Sequence, residues 1–478
     1  MLFNSLAFLI FLPIVFIGYW FVFSKTKSSQ NIFLLLASYF FYSFWNWHFL
    51  FLLIFSTFLD YSTGIAIGNT PDIKMKKLWL CISLFINIGL LCYFKYCNFF
   101  IDSFTHGMNL LGLHLSTWSL KIILPIGISF YTFHGISYII DIYYDRIKPH
   151  RNFFDYALFV SYFPLLVAGP IERATHLLPQ LKQKRNFDHA QAIAGMRLIL
   201  WGMFKKIVIA DSLGLIVNNV FSNYNEFNAA TLIIGVIAFS IQIYGDFSGY
   251  TDIARGVSKL FGIDLIKNFN FPYFSKNIAE FWSRWHISLS SWLNDYVFTP
   301  LALNFRYNGK NGISLSILLT FIISGFWHGA GWHFVIWGVL NGCYYLPIVY
   351  SKKGIKSMVS KKYTDIHYTD TGKFFLTYTL VCFSFIFFRA ESTRLAFSYI
   401  RRIAVSSIKS PTQFLHIPYG IAAFAYIIPF LLADLWMRTD DRKLILKYPL
   451  IEKVASWVLV ILIILSFQKE TTFIYFKF

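Results

Sequence analysis

The chain has 478 residues, of which 56% are hydrophobic and 21% aromatic, and only 14% are charged. A soluble globular protein carries roughly 25% charged residues, so the composition excludes a soluble enzyme. The formal net charge of +19 does not point to nucleic acid. Its lysines and arginines sit in short loops between apolar runs, as at Lys25 and Lys27, Lys74–Lys77, Arg146–Arg151, Lys182–Arg185, Lys352–Lys362 and Arg438–Lys443. That is the positive-inside pattern, with attraction to anionic lipid.

Apolar runs of roughly membrane-spanning length recur from end to end, clearest at Phe3–Ser24, Leu78–Cys97, Ile122–Ile142, Ala229–Tyr244, Phe374–Phe388, Tyr419–Trp436 and Val454–Phe467. The expected fold is an all-α polytopic membrane protein, one domain over residues 1–478, with 468–478 as a tail. The first run lacks the small-residue cleavage site of a signal peptide, so it is expected to remain as a helix. With Lys25 and Lys27 cytoplasmic, the N-terminus is outside. Helices near Ile32–Trp45 and Phe49–Ile67 form a hairpin back to the basic Lys74–Lys77 loop. The next helix leaves Asp102–Trp118 outside, and Ile122–Ile142 returns to Arg146–Arg151.

The run Tyr156–Ala168 has basic flanks and ends at Gly169–Pro170, which predicts a re-entrant or kinked element. Lys205, Lys206 and Asp211 interrupt Met196–Val220, so that segment faces a bundle interior or an interface. Gln242–Arg255, QIYGDFSGYTDIAR, is polar and glycine-rich and is expected to be a polar network or ligand loop carrying Asp246, Tyr250, Asp252 and Arg255. Phe271–Pro272 punctuates the chain before a Trp/His helix over Phe281–Pro300, with a cap at Ser275 or Asn277. Helices near Ile313–Phe326 and Phe334–Tyr350 follow, then a basic loop, Ser351–Thr371. The basic stretch Arg394–Lys409 falls outside by this count, which implies either a surface helix on the outer face or a miscounted span. The last helix places the C-terminus outside.

Polar side chains cluster in two of these breaks: Arg284, His286, Asn294 and Asp295 beside Trp285, then His328 and His333 beside Trp327. Polar groups in an apolar setting are costly unless paired or wet, so the clusters predict a catalytic site. A Trp-rich helix lying at the membrane interface is the plainer alternative. A neutral histidine, with an ordinary pKa of about 6.5, can act as a general base. A metal is not expected: His328 and His333 lack the i, i+4 spacing of a helical zinc site and have no Cys or Glu between them. The five cysteines lie in or beside apolar runs without a CxxC spacing. His48, His134 and His416 suit packed aromatic surroundings. The tail Thr471–Phe478, TTFIYFKF, is either an interface anchor or a flexible carrier whose Tyr475 hydroxyl would need a base such as His328.

Six stretches carry a resemblance: LPIGISFYTFHGISYIIDIY (Leu124–Tyr143), VAGPIERATHLLPQL (Val167–Leu181), YGDFSGYTDIARG (Tyr244–Gly256), NFNFPYFSKNIAEFWSRWHISLSSWLNDYVFTPL (Asn268–Leu301), GFWHGAGWHFVIWG (Gly325–Gly338) and FFRAES (Phe387–Ser392). In this order they resemble the membrane-bound O-acyltransferase (MBOAT) family, in its bacterial polysaccharide branch. The resemblance implies a ring of about 11 transmembrane helices with re-entrant and interfacial helices around a central tunnel. It implies His328 as the central catalytic histidine, His286 as the second histidine-type position, and Tyr475, in the tail motif FIYFKF, as a covalent acyl carrier. Trp285, Trp327, Asn294, Asp295, Arg284, Asp246 and Tyr250 are the candidate substrate or tunnel residues; Asp246, Asp252 and Asp295 either orient the histidines or, the favoured reading because an intramembrane charge first needs a partner, pair with Arg255 and Arg284.

The implied function is transfer of an acyl group from a cytoplasmic thioester, acetyl-CoA foremost, with no bound cofactor and no metal. The acceptor is an extracytoplasmic polysaccharide, such as peptidoglycan or an alginate-like polymer. An extracytoplasmic SGNH-type acetyltransferase is the expected partner. The expected location is the bacterial inner membrane, with both termini extracytoplasmic. A lipid or small secreted acceptor, or a transporter using the polar breaks as a pathway, are the alternatives.

Overall fold

The computed structural model describes residues 1–116, 118–351, 370–406, 413–414, 420–437 and 449–467. All regular elements among them are helical. Five are long and apolar enough to cross a membrane: His48–Asn69, Ile73–Leu110, Ala229–Leu260, Arg306–His328 and Thr371–Arg389. Backbone groups in lipid must be satisfied within the segment, which is why apolar runs of this length fold as helices. The helix from Ile73 continues through a π turn, Cys92–Tyr96, to Leu110. It therefore takes up much of the stretch expected as an outer loop from Asp102. The chain packs as two compact units, one formed by Met1–Ile199 with Ile253–Ile266, the other by Leu200–Asp252 with Lys267–Phe478.

In the first unit, buried polar side chains tie helices together. Asp60 Oδ1, on His48–Asn69, accepts from Ser83 Oγ at 2.8 Å and Asn87 Nδ2 at 2.7 Å. Asp155 accepts from Lys27 at 2.9 Å and from Asn31 Nδ2 at 2.7 Å. The run Tyr156–Ala168 is kinked, but inside the run rather than at its Gly-Pro ending: Phe153–Ser161 stops at Tyr162, and a single turn, Phe163–Leu166, follows with Pro164 in its first turn. The backbone N–H freed by that break, at Phe163, donates to Ser38 Oγ at 3.0 Å. His134 is buried, as a packed residue should be, and its Nε2 accepts from Glu172 N at 3.1 Å.

Helix Ala229–Leu260 contributes residues to both units. It corrects the loop expected over Gln242–Arg255. The glycines there serve close helix packing rather than a turn. A Cβ on Gly249 would lie 2.7 Å from Gly202 O, so only hydrogen lets the backbones approach. Later in the second unit, helices Gly309–His328 and Trp332–Tyr350 form a hairpin. A Cβ on Gly338 would stand 2.3 Å from Phe321 O. Thr393–Val405 is a helix with Ala396 and Tyr399 buried and Phe397, Arg401 and Val405 exposed, which agrees with a surface helix.

Candidate active site

The expected Trp/His helix is two helices in the structure, Ile278–Arg284 and Ile287–Leu293. Asn277 caps the first, its Oδ1 accepting from Glu280 N at 2.9 Å. The break falls at His286, whose backbone is left-handed at φ 45° and ψ 54°. A non-glycine residue pays about 1–2 kcal/mol for that conformation, and the strand-like segment beside it supplies the compensation. Ile287 N donates to Asn268 O at 2.8 Å, and Asn270 N donates to Arg284 O at 2.9 Å.

The Asn268 side chain then fixes the imidazole. Its Oδ1 accepts from Ser288 N at 3.2 Å and Ser288 Oγ at 2.9 Å, and lies 3.1 Å from His286 Nδ1. An oxygen that already accepts a backbone N–H can only accept from the ring, so Nδ1 carries the proton. Nε2 is left with its lone pair, is fully buried, and has no hydrogen-bond partner among the described residues. His286 lies outside the membrane-spanning segments, and burial pushes its pKa down to about 3. It is a neutral hydrogen-bond acceptor across the physiological range.

His328 ends helix Gly309–His328 and is buried. Its ring packs against Trp327 at 4.9 Å, Trp337 at 5.1 Å and Phe388 at 5.1 Å. Trp327 also lies 6.2 Å from the His286 ring, and Phe247 meets that ring edge-on at 4.6 Å. Both histidines therefore flank one tryptophan in an aromatic enclosure. Trp285 lines the neighbouring wall, against Phe269 at 5.0 Å and Phe281 at 5.6 Å. In such surroundings a charge developing on a reacting group is screened little, so a placed proton acceptor acts strongly.

The other candidates separate into groups. Asp246 and Tyr250 are buried on helix Ala229–Leu260. Lys206 bridges Asp246, at 2.7 Å, to Asp211, also at 2.7 Å. Asp252 pairs with Lys205 at 2.5 Å, and Arg284 pairs with Glu280 at 2.5 Å. The lysines reach the carboxylates because they sit on a neighbouring π-helical turn, Phe204–Asp211. Asn294 and Asp295 are exposed and bond each other at 3.1 Å, away from the enclosed rings. Tyr475 lies outside the described residues. Asn268 and Trp337 were not singled out in the sequence; the asparagine lay in the NFNFPYF stretch without a local cue to its partner. Among the described residues no group of His, Cys, Asp and Glu could hold a metal ion.

Known proteins resemble this chain over most of its length. The profile described as "MBOAT, membrane-bound O-acyltransferase family" matches residues 143–388, which include both histidines. A peptidoglycan O-acetyltransferase of Helicobacter pylori is 36% identical over 433 residues, covering 84% of this chain and 79% of the relative. A probable alginate O-acetylase AlgI of Pseudomonas syringae is 36% identical, covering 83% and 74%. A teichoic acid D-alanyltransferase of Bacillus subtilis is 31% identical over 56% of this chain and 69% of its own length. Buried histidines in an aromatic enclosure, apolar membrane helices and relatives of this kind lead to one conclusion: the chain is a multi-pass membrane enzyme that belongs to the membrane-bound O-acyltransferase family.

Proposed function

We propose that the enzyme moves an acetyl group from cytoplasmic acetyl-CoA to an extracytoplasmic polysaccharide through an acetyl ester on Tyr475. The observation that carries this reading is the pair of buried histidines flanking Trp327, with the His286 Nε2 lone pair unpartnered. His328 takes the proton of the Tyr475 hydroxyl as its oxygen attacks the thioester carbon. The tetrahedral intermediate collapses, the C–S bond breaks, and the thiolate recovers the proton from His328. His286 accepts a hydrogen bond and orients the reacting group. The acyl-tyrosine then yields its acetyl to a hydroxyl of an SGNH-type partner, and from there to the glycan. Two ester exchanges carry the group outward while coenzyme A stays inside.

The acceptor class is supported by the relatives, a peptidoglycan O-acetyltransferase, a probable alginate O-acetylase and a teichoic acid D-alanyltransferase. The inner membrane and outward-facing termini are supported by the basic loops. Peptide mass spectrometry after incubation with acetyl-CoA tests the reading. An acetyl mass on the tail peptide, absent in His328→Ala and Tyr475→Phe, is expected. Turnover that survives Tyr475→Phe with no adduct would replace the carrier with direct transfer.

A further inference from the structure

The indole nitrogen of Trp337 is a buried polar atom that the chemistry above leaves unused. The residue is 1% exposed, and its Nε1 forms no hydrogen bond among the described residues. An indole N–H can only donate, and a buried donor without an acceptor is destabilising and calls for an explanation. The ring stands edge-to-face with His328, centroids 5.1 Å apart at 86°, and is closed in by Phe388 at 5.3 Å and Trp282 at 5.6 Å. None of these three side chains carries an oxygen, so they give the N–H no strong acceptor. The indole is also held firmly. Asn341 Nδ2, one helical turn on, donates to Trp337 O at 2.8 Å. A Cβ on the adjacent Gly338 would stand 2.3 Å from Phe321 O, so helix Trp332–Tyr350 lies against its hairpin partner without room to turn.

We infer that Trp337 is a further catalytic residue, whose Nε1–H donates to the thioester carbonyl oxygen as that oxygen becomes an oxyanion; the inference rests on the reading of His328 as the base of acyl transfer. Such a site needs a base at the nucleophile and a donor at the carbonyl oxygen of one and the same group, and Trp337 is in direct ring contact with the base. As the nucleophile's oxygen bonds to the carbonyl carbon and its proton passes to His328, the C=O π pair moves onto the oxygen and the N–H hydrogen bond strengthens. When the pair returns, the C–S bond breaks and the thiolate takes the proton from His328. A fixed donor among aromatic rings needs no reorganisation for this and is screened little. An N–H turned onto the imidazole face is the plainer account, and it gives the donor no part in the transition state. Trp282 supplies an internal comparison. It is also buried with an unpartnered Nε1, but its ring contacts among the described residues are to Phe281, Phe321 and Trp337, and none is to a histidine.

The test replaces Trp337 by benzothienylalanine at a recoded codon in the full chain, so that sulfur takes the place of the N–H while ring shape and apolar surface stay. In detergent with acetyl-CoA, single-turnover release of the coenzyme A thiol is followed, with acetyl on Tyr475 read in parallel by mass spectrometry. Thiol release should slow about a hundredfold or more, as when one oxyanion donor is removed. The half-saturating acetyl-CoA concentration should stay within about twofold, because the donor binds the transition state and not the ground state. Trp337→Phe should slow release at least as much. The same sulfur replacement at Trp282 should leave the rate near the parent's. An unchanged rate with Trp337 replaced, a changed half-saturation without a rate loss, or an equal loss from the Trp282 replacement would overturn the assignment. Slowed thiol release with no acetyl on Tyr475 even in the parent would keep the donor and remove the carrier. Acetyl-Tyr475 formed at the parent's rate without the Trp337 N–H would keep the carrier and remove the donor.

Discussion

Asn268 holds His286 in a single tautomer, with Nδ1 protonated and Nε2 bare. Its oxygen is identified by the backbone N–H of Ser288 that it accepts. Asn268→Leu removes that acceptor and leaves buried donors unpaired, at a cost of about 1–3 kcal/mol. Acyl transfer should fall roughly ten- to a hundredfold at an unchanged yield of monodisperse protein. Asn268→Asp keeps an acceptor for Nδ1–H and adds a negative charge, so it should retain more activity than Asn268→Leu. It should also move the acidic limb of the pH–rate profile upward, because the charge favours the imidazolium.

His286 should make the enzyme acid-sensitive. Its folded pKa is lowered to about 3 by burial, against about 6.5 in the unfolded chain. Below about pH 6.5 the unfolded state binds the proton and the folded state does not, so stability falls as pH falls, by at most about 1.4 kcal/mol per unit. His286→Asn should flatten the decline in thermal midpoint between neutral and mildly acidic pH. An identical slope in the variant would contradict the assignment.

His176 should act with the opposite sign in the first unit. Its hydrogen bond to the buried Glu172 carboxylate, at 2.8 Å, raises its pKa against the opposing effect of burial. The resulting stability is fully present below the unfolded value of about 6.5 and is lost as pH rises through the raised value. Glu172→Gln should abolish that dependence. It should also loosen the segment Phe261–Ile266, since Glu172 Oε1 accepts from Ile266 N at 2.7 Å. Hydrogen exchange at Ile266 reads this directly.

Lys206 neutralises two carboxylates, Asp211 and Asp246, and all three are nearly buried. Lys206→Met removes a cation from both carboxylates, and losing one partner of a buried ion pair costs about 3–5 kcal/mol. The triple change with Asp211→Asn and Asp246→Asn should recover most of the thermal midpoint. A Lys206→Met protein as stable as the parent would show that this ion pair carries little of the fold.

Gly249→Leu should destabilise the second unit by about 1–3 kcal/mol or more, as overpacking does. The obstacle is Gly202 backbone oxygen, 2.7 Å from the added carbon, and a helix backbone cannot rotate aside as a side chain can. Gly89→Leu, where a Cβ would meet nothing within 4 Å, is the matched control and should be tolerated. Thermal midpoints in detergent compare the two.

Residue type and order alone determined that the chain is helical and crosses a membrane, because apolar runs of this length have no other way to satisfy their backbone in lipid. They also indicated a kinked element over Tyr156–Ala168, a cap at Ser275 or Asn277 and the two histidine segments, since proline, asparagine and polar clusters act over a few neighbouring residues. The helix through Gln242–Arg255 was not legible, because a glycine that loosens a loop and one that admits a neighbouring backbone look the same until the neighbour, Gly202, is in place. The lysine partners of Asp246 and Asp252 were not legible for the same reason: Lys205 and Lys206 are distant in sequence and near in space. Only the tertiary structure decided that Asn268 orients His286 and that Trp327 joins the two histidines. Those relationships depend on distances across the fold, and sequence separation carries no distance once the chain has turned back on itself.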